Sequence, residues 1–246
     1  MTQFTSGLDA LAALNETNEG NGASKEFTRL KSGGKLIVKV ISKEAVQRAY
    51  VYGIYKQINS FIAKEPSTKS SKGYPVDNLT PWDKAWKYHK DRSEVYTDAH
   101  GVEASKYSAK QRFVFALWDC TQGEIIYVDF SKNQAQGLAA TITKFEKKLD
   151  KLAFELTKEG SGTSTKVSLT PILDMDEDLT DKERENFAKA PNEISTNVFD
   201  GIWFEQDEAQ MVELLKQAGF DVTLIGYNAT TRGTGANTPD EEELPF

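Results

Sequence analysis

The chain has 246 residues, 30 Lys/Arg against 37 Asp/Glu for a formal charge of −7, and 39% hydrophobic residues. That excludes a wholly disordered chain and fits one core with polar segments attached. No run of about 18 apolar residues is present to span a bilayer, and one cysteine (Cys120) with two histidines (His89, His100) excludes a disulfide framework and leaves too few soft ligands for structural zinc.

The first 24 residues lack the basic start and continuous apolar stretch of a secretion signal. They read as a flexible arm with one short apolar patch, Leu8, Leu11 and Leu14. The stretch GGKLIVKVIS (33–42) alternates as a half-buried strand does, and AYVYGIYKQI (49–58) is an aromatic, β-branched strand whose Gly53 marks a bulge or bend. Residues 63–81, rich in Pro, Ser, Lys and Gly, read as a long functional or mobile loop. Pro81 then sets the entry to a helix over 82–92, with Trp82, Ala85 and Trp86 on one face.

KQRFVFALWD (110–119) and EIIYVDF (124–130) are strands joined by a hairpin turn at CTQG. Residues 131–149 form a helix capped by Ser131, with Leu138, Ile142, Phe145 and Leu149 as its stripe. A second hairpin, 153–160 with 165–173, turns at GSGTS. Helices are expected at 180–190 and 205–219, and residues 228–246 lack apolar periodicity until the last three positions, as a disordered tail would. This order implies a mainly β (α+β) domain of the small-barrel type over 25–173, an acidic helical extension over 174–227, and the tail.

Charge is sorted along the chain. Residues 25–173 hold 25 Lys/Arg and 16 Asp/Glu, net +9, whereas 174–246 hold 5 and 18, net −13. A basic body with an acidic end suits a polyanion-binding domain carrying a segregated arm. The basic stretch also holds most of the aromatics: Arg48, Tyr50, Tyr52, Tyr55, Lys56 and Phe61, then Trp82, Lys84, Trp86, Lys87, Tyr88, Lys90 and Arg92, then Tyr107, Lys110, Arg112 and Trp118. Single-stranded nucleic acid presents base faces for stacking and a phosphate line for cations, so a groove that binds it interleaves these two residue types.

Signals for catalysis are weak. No G-x-S-x-G occurs, Cys120 has no base nearby in sequence, and GSGTST (160–165) lacks the Lys of a phosphate loop. The carboxylates Asp174, Asp176, Asp178 and Glu185 match calcium-loop spacing, but Leu179 stands where the loop's Gly is required. A metal-dependent nuclease or calcium-binding protein is therefore one alternative reading. An acidic adaptor for a basic protein partner, using 180–219 and the tail, is another.

The last seven residues, Asp240, Glu241, Glu242, Glu243, Leu244, Pro245 and Phe246, form an acidic run with an apolar tip, suited to docking on a basic pocket with an apolar floor. DEEELPF resembles the acidic C-terminal tip of single-stranded DNA-binding proteins. The body, from FTRLKSGGKLIVKVIS to FELTKEGSGTSTKVSLTPI, resembles the phage-encoded helix-destabilising proteins of T-even type. That resemblance implies a five-stranded OB barrel with a helical insertion, binding single strands without sequence preference in phage DNA replication, recombination and repair. It implies no enzymatic activity, no cofactor, a host-cytoplasm location, and recruitment of replication, recombination or repair proteins through the tail.

The zinc of the T-even protein is not carried over, because the insertion here offers His89 and no cysteine. The expected groove tracks phosphates with Lys39, Arg48, Lys56, Lys84, Lys87, Arg92, Lys110 and Arg112. Its expected stacking rings are Tyr52, Tyr55, Trp86, Tyr107 and Trp118. The tail, a tethered polyanion, is expected to compete with DNA for that groove.

Overall fold

A computed structural model describes residues 25–228. The amino-terminal arm and the tail beyond Asn228, with its Asp240–Phe246 tip, lie outside the described residues.

The main sheet has eight strands: β1 (Lys35–Lys39), β2 (Val46–Ile54), β3 (Ile58–Ala63), β6 (Lys110–Asp119), β7 (Glu124–Ser131), β8 (Phe154–Glu159), β9 (Lys166–Pro171) and β10 (Glu205–Gln206). A separate ribbon pairs β4 (Thr68–Lys69) with β5 (Pro75–Asp77). Six α-helices accompany them among the described residues: α1 (Pro81–Lys90), α2 (Ala99–Tyr107), α3 (Lys132–Lys144), α4 (Met175–Asp178), α5 (Asp181–Lys189) and α6 (Glu208–Gln217).

The long strand β6 organises the sheet. It pairs with β7 over its whole inner length, from Arg112↔Ser131 to Asp119↔Glu124. On its other side it pairs with β2 at one end (Val46↔Phe115 to Val51↔Lys110) and β1 at the other (Lys39↔Trp118). The ladder continues from β1 to β8 and β9, and from β2 to β3 and β10. All these pairings are antiparallel except β10 with β3.

The sheet is open, which corrects the expected five-stranded barrel: among the described residues no ladder brings the outer edge of β9 or β7 back to β3. The β3 edge that closure would use is taken instead by the C-terminal segment, where Ile62 and Lys64 donate their N–H groups to Phe204 and Gln206.

Both expected hairpins, the α3 helix and the two C-terminal helices form where the pattern places them. Gly53 adopts φ 144° and the β2–β3 register shifts there, as expected of a bulge. Three features depart from the sequence reading. The strand over 49–58 ends at Ile54 and turns directly into β3. The expected loop 63–81 contains the β4–β5 ribbon. A second insertion helix, α2, is capped by Asp98, whose carboxylate accepts from the N–H groups of Gly101, Val95 and Glu94 and is held down to about 2, by the first of these most of all.

Alternation along β6 sends Phe115 and Leu117 to one face, where α3 lays Leu138 and Ile142 over Val38, Phe154 and Leu156. Each such side chain contributes about 1.5–3 kcal/mol by leaving water. On the other face Val114, Ala116 and Tyr127 are covered by Val198 and Ile202. Nearby, Phe187 of α5 packs with Ile37 and Cys120, and the Asn186 amide donates to the Cys120 carbonyl at 2.9 Å. Burial, first, and the neighbouring Asp119 and Glu183 push the Cys120 thiol up to about 12. A fourth core joins β2 and β3 to the insertion and α6: Trp82 is fully buried among Tyr52, Phe61 and Tyr107, and its indole N–H donates to the Met211 carbonyl at 3.1 Å.

Candidate nucleic-acid interface

The residues expected to form one groove are distributed over several surfaces. Tyr52 and Tyr107 are core residues, 2% and 3% exposed, and present no ring face to a base. Lys39 is buried with its ammonium 4.4 Å above the Phe187 ring, covered by α5. Trp118 is half-buried, and its indole N–H donates to the Asn186 carbonyl at 2.9 Å.

Arg112 is committed to Asp129 across the β6–β7 ladder through two N–H groups on one carboxylate oxygen. Lys110 and Arg112 also lie on the sheet face opposite Arg48, because Arg48 is the cross-strand neighbour of Phe113. Lys84 donates to the Tyr227 hydroxyl (2.8 Å), Lys87 pairs with Asp91 (2.7 Å), and the Arg92 guanidinium stacks 3.7 Å from the centre of the Tyr88 ring. Tyr55 and Lys56 sit exposed together at the β2–β3 turn.

Two of the expected residues, Arg48 and Trp86, adjoin a cleft that interleaves rings and cations. It has a volume of about 210 Å³ and is bounded by β2, the tip of the β4–β5 ribbon, α1 and the start of α3. On β2 the Tyr50 hydroxyl is held by the Gln111 side-chain amide at 3.1 Å, and Arg48 lies two residues along the same face with its guanidinium 5.8 Å from that ring. The ribbon closes from above. Its turn 70–74 is tied by the Ser70 N–H to the Tyr74 carbonyl (2.8 Å), and Gly73 at φ 87° passes so close to Tyr50 that a Cβ there would meet the hydroxyl at 3.3 Å. The turn thereby sets Tyr74, 57% exposed, parallel to Trp86 with centroids 6.0 Å apart and planes 18° apart.

Lys69, Lys72 and Lys132 supply positive charge to the same walls, and Asp83 is the one carboxylate among the lining residues. That acid is already spent on Lys69 at 2.7 Å, with side chains 8% and 1% exposed for Lys69 and Asp83. The free charge of the cleft is therefore that of Lys72 and Lys132, both exposed. By contrast a larger cavity, about 930 Å³ between the starts of α1 and α6, carries Glu65, Asp207 and Glu208 against Lys64. Its sign is wrong for a phosphate chain.

Sequence reasoning missed Lys72, Tyr74, Lys132 and Gln111. The available signal is the Lys, Gly, Tyr and Pro composition of the segment 72–75, which marks a loop and does not say what the loop faces.

The carboxylates of the calcium-loop reading are engaged in other ways. The Asp174 carboxylate caps α4 by accepting from the N–H groups of Asp176 and Glu177, Asp181 is paired with Arg184, and Leu179 is buried in the core under α5. Among the described residues no group of three His, Cys, Asp or Glu side chains is placed to hold a metal ion. No described helix is long and apolar enough to cross a membrane. Comparison with protein-family models, curated proteins and solved structures finds no match.

Proposed function

We propose that this protein is a non-enzymatic single-stranded DNA-binding protein, acting in the cytoplasm, whose tail Asp240–Phe246 recruits proteins of replication, recombination or repair. The observation that carries the reading is the cleft itself: the paired rings of Tyr74 and Trp86 stand beside Lys72 and Lys132 with no unpaired acid among them. A base stacked on an aromatic face contributes about 1–3 kcal/mol regardless of its identity, and each neutralised phosphate adds a salt-dependent increment. Nothing in the cleft walls presents the row of fixed donors and acceptors that base readout needs, so binding is expected to be independent of sequence.

In this reading the sheet is an opened relative of the OB architecture. The support is its order of hairpin, helix and hairpin, with α3 lying against one face beside the strand-binding surface.

Tryptophan fluorescence tests the proposal. Adding oligo-dT at 50 mM salt should quench the emission, the quench should reverse as salt is raised, and duplex of the same length should compete poorly. A folded protein whose emission does not respond would reject it and favour the acidic adaptor.

A further inference from the structure

Three of the four walls of the cleft, β2, the ribbon and α1, come from segments distant in sequence, and one buried carboxylate joins them. Asp83, on the first turn of α1, has no exposed surface. Its Oδ2 accepts from the Tyr52 hydroxyl of β2 (2.8 Å), from the Ser67 hydroxyl (2.5 Å) and from the Lys69 ammonium of the ribbon (2.7 Å). Its Oδ1 is buried without a hydrogen-bond partner. Lys69 in turn lies 5.4 Å from the Tyr50 ring centre and 5.7 Å from that of Tyr52.

As a stability device this arrangement is poor. A buried ion pair seldom exceeds the cost of removing two charges from water, and an unpartnered carboxylate oxygen adds to that cost. Trp82, the neighbouring residue, already anchors α1 through a full indole. What the carboxylate does, and apolar packing would not, is fix direction: three donors converging on one oxygen set where the ribbon lies relative to the helix.

The geometry points to Asp83 and Lys69 as positioning residues that hold the ribbon against α1 so that Tyr74 is kept parallel to Trp86 before any ligand arrives. Trp86 lies one helical turn beyond Asp83 and Tyr74 one strand across from Lys69, whose cross-strand neighbour is Pro75. The two charges of the pair cancel each other, so their joint loss should alter ring placement without altering charge neutralisation. The effect on affinity rests on the cleft being the strand-binding site; the effect on the rings does not.

The test compares wild type with the double variant Asp83→Asn/Lys69→Met, which removes both charges together and so leaves neither buried alone. In the free full-length protein, the ring-to-ring NOE between Tyr74 and Trp86 should be present in wild type and lost in the variant. Oligo-dT affinity should fall about tenfold, within the range of one stacked base, while the slope of log K against log salt stays unchanged.

A folded variant that keeps the NOE, or keeps wild-type affinity in a protein that binds DNA, overturns the assignment. If wild type itself does not bind oligo-dT, the functional reading fails and the NOE still decides the positioning role. Should the double variant not fold, Tyr52→Phe removes one donor at nearly constant volume. It is then expected to weaken the NOE and lower affinity about threefold, a smaller share of the same stacking contribution, and no change in either overturns the assignment.

Discussion

Two cores of the molecule are built on different principles. Under α3, the core of Val38, Leu138, Phe154 and Leu156 is apolar, and strands and helix meet there by shape alone. Around α1, the core is aromatic and carries a buried charge pair, with Tyr52, Trp82 and Tyr107 packed about Asp83 and Lys69. The first region derives stability from burial and tolerates apolar change of equal volume. The second includes directional bonds that do little for stability and determine where surface groups stand. The contrast teaches that the proposed site lies where packing alone would leave positions loosely defined.

Substitutions should separate the regions. The largest effect on stability is expected from Phe154→Ala, which empties a fully buried site: about 3–5 kcal/mol in denaturant melts, with oligo-dT affinity of the folded fraction unchanged. Tyr74→Ala should behave inversely, costing about 1–3 kcal/mol in oligo-dT affinity and, as an exposed side chain, within about 0.5 kcal/mol of stability.

Acid should act on the insertion before the α3 core. His89 and His100 share a hydrogen bond between Nδ1 atoms at 2.9 Å, which needs at least one neutral ring. Burial first, then His100, lowers the His89 pKa from 6.5, against the opposing pull of Glu103. The unfolded chain thus takes up a proton where the folded one resists. Stability is full above about 6.5 and is lost as pH falls below that value. His100→Gln should flatten the stability profile in that window, read by urea melts across pH.

A smaller effect is expected from Lys72→Ala, which should reduce the salt slope of binding by about one. The smallest is expected from Arg112→Ala: that residue faces away from the cleft and is paired with Asp129, so affinity should hold within twofold, roughly the scatter of a surface change.

How much was legible follows the same division. The hairpins β6–β7 and β8–β9 and the helix α3 are written in local pattern: period-two alternation, a turn of CTQG, and Ser131 whose N–H is capped by Gln134 at 3.0 Å. The C-terminal helices were legible too, the second from its apolar face of Met211, Leu214 and Leu215, and the structure adds the Thr180 and Asp207 caps. The ribbon was not, because Ser67 and the Lys69 side chain are held inward on Asp83, and composition reads them as solvated loop.

The site residues suffered from the same blindness. Tyr50 and Tyr52 have the same parity on β2, yet one lines the cleft and the other lies under α1, a difference set by where the helix sits. Whether the sheet closes could not be read either, since the strand that occupies the β3 edge is a two-residue segment more than 140 positions away.

Photocrosslinking tests the central claim most directly. Oligonucleotides carrying 5-iododeoxyuridine would be irradiated with the full-length protein at low salt and the adducts mapped by mass spectrometry. The account predicts crosslinks on Tyr74 and Trp86 that disappear with added salt. Adducts confined to other exposed rings, Tyr55 or Tyr96, or the absence of adducts, would contradict it.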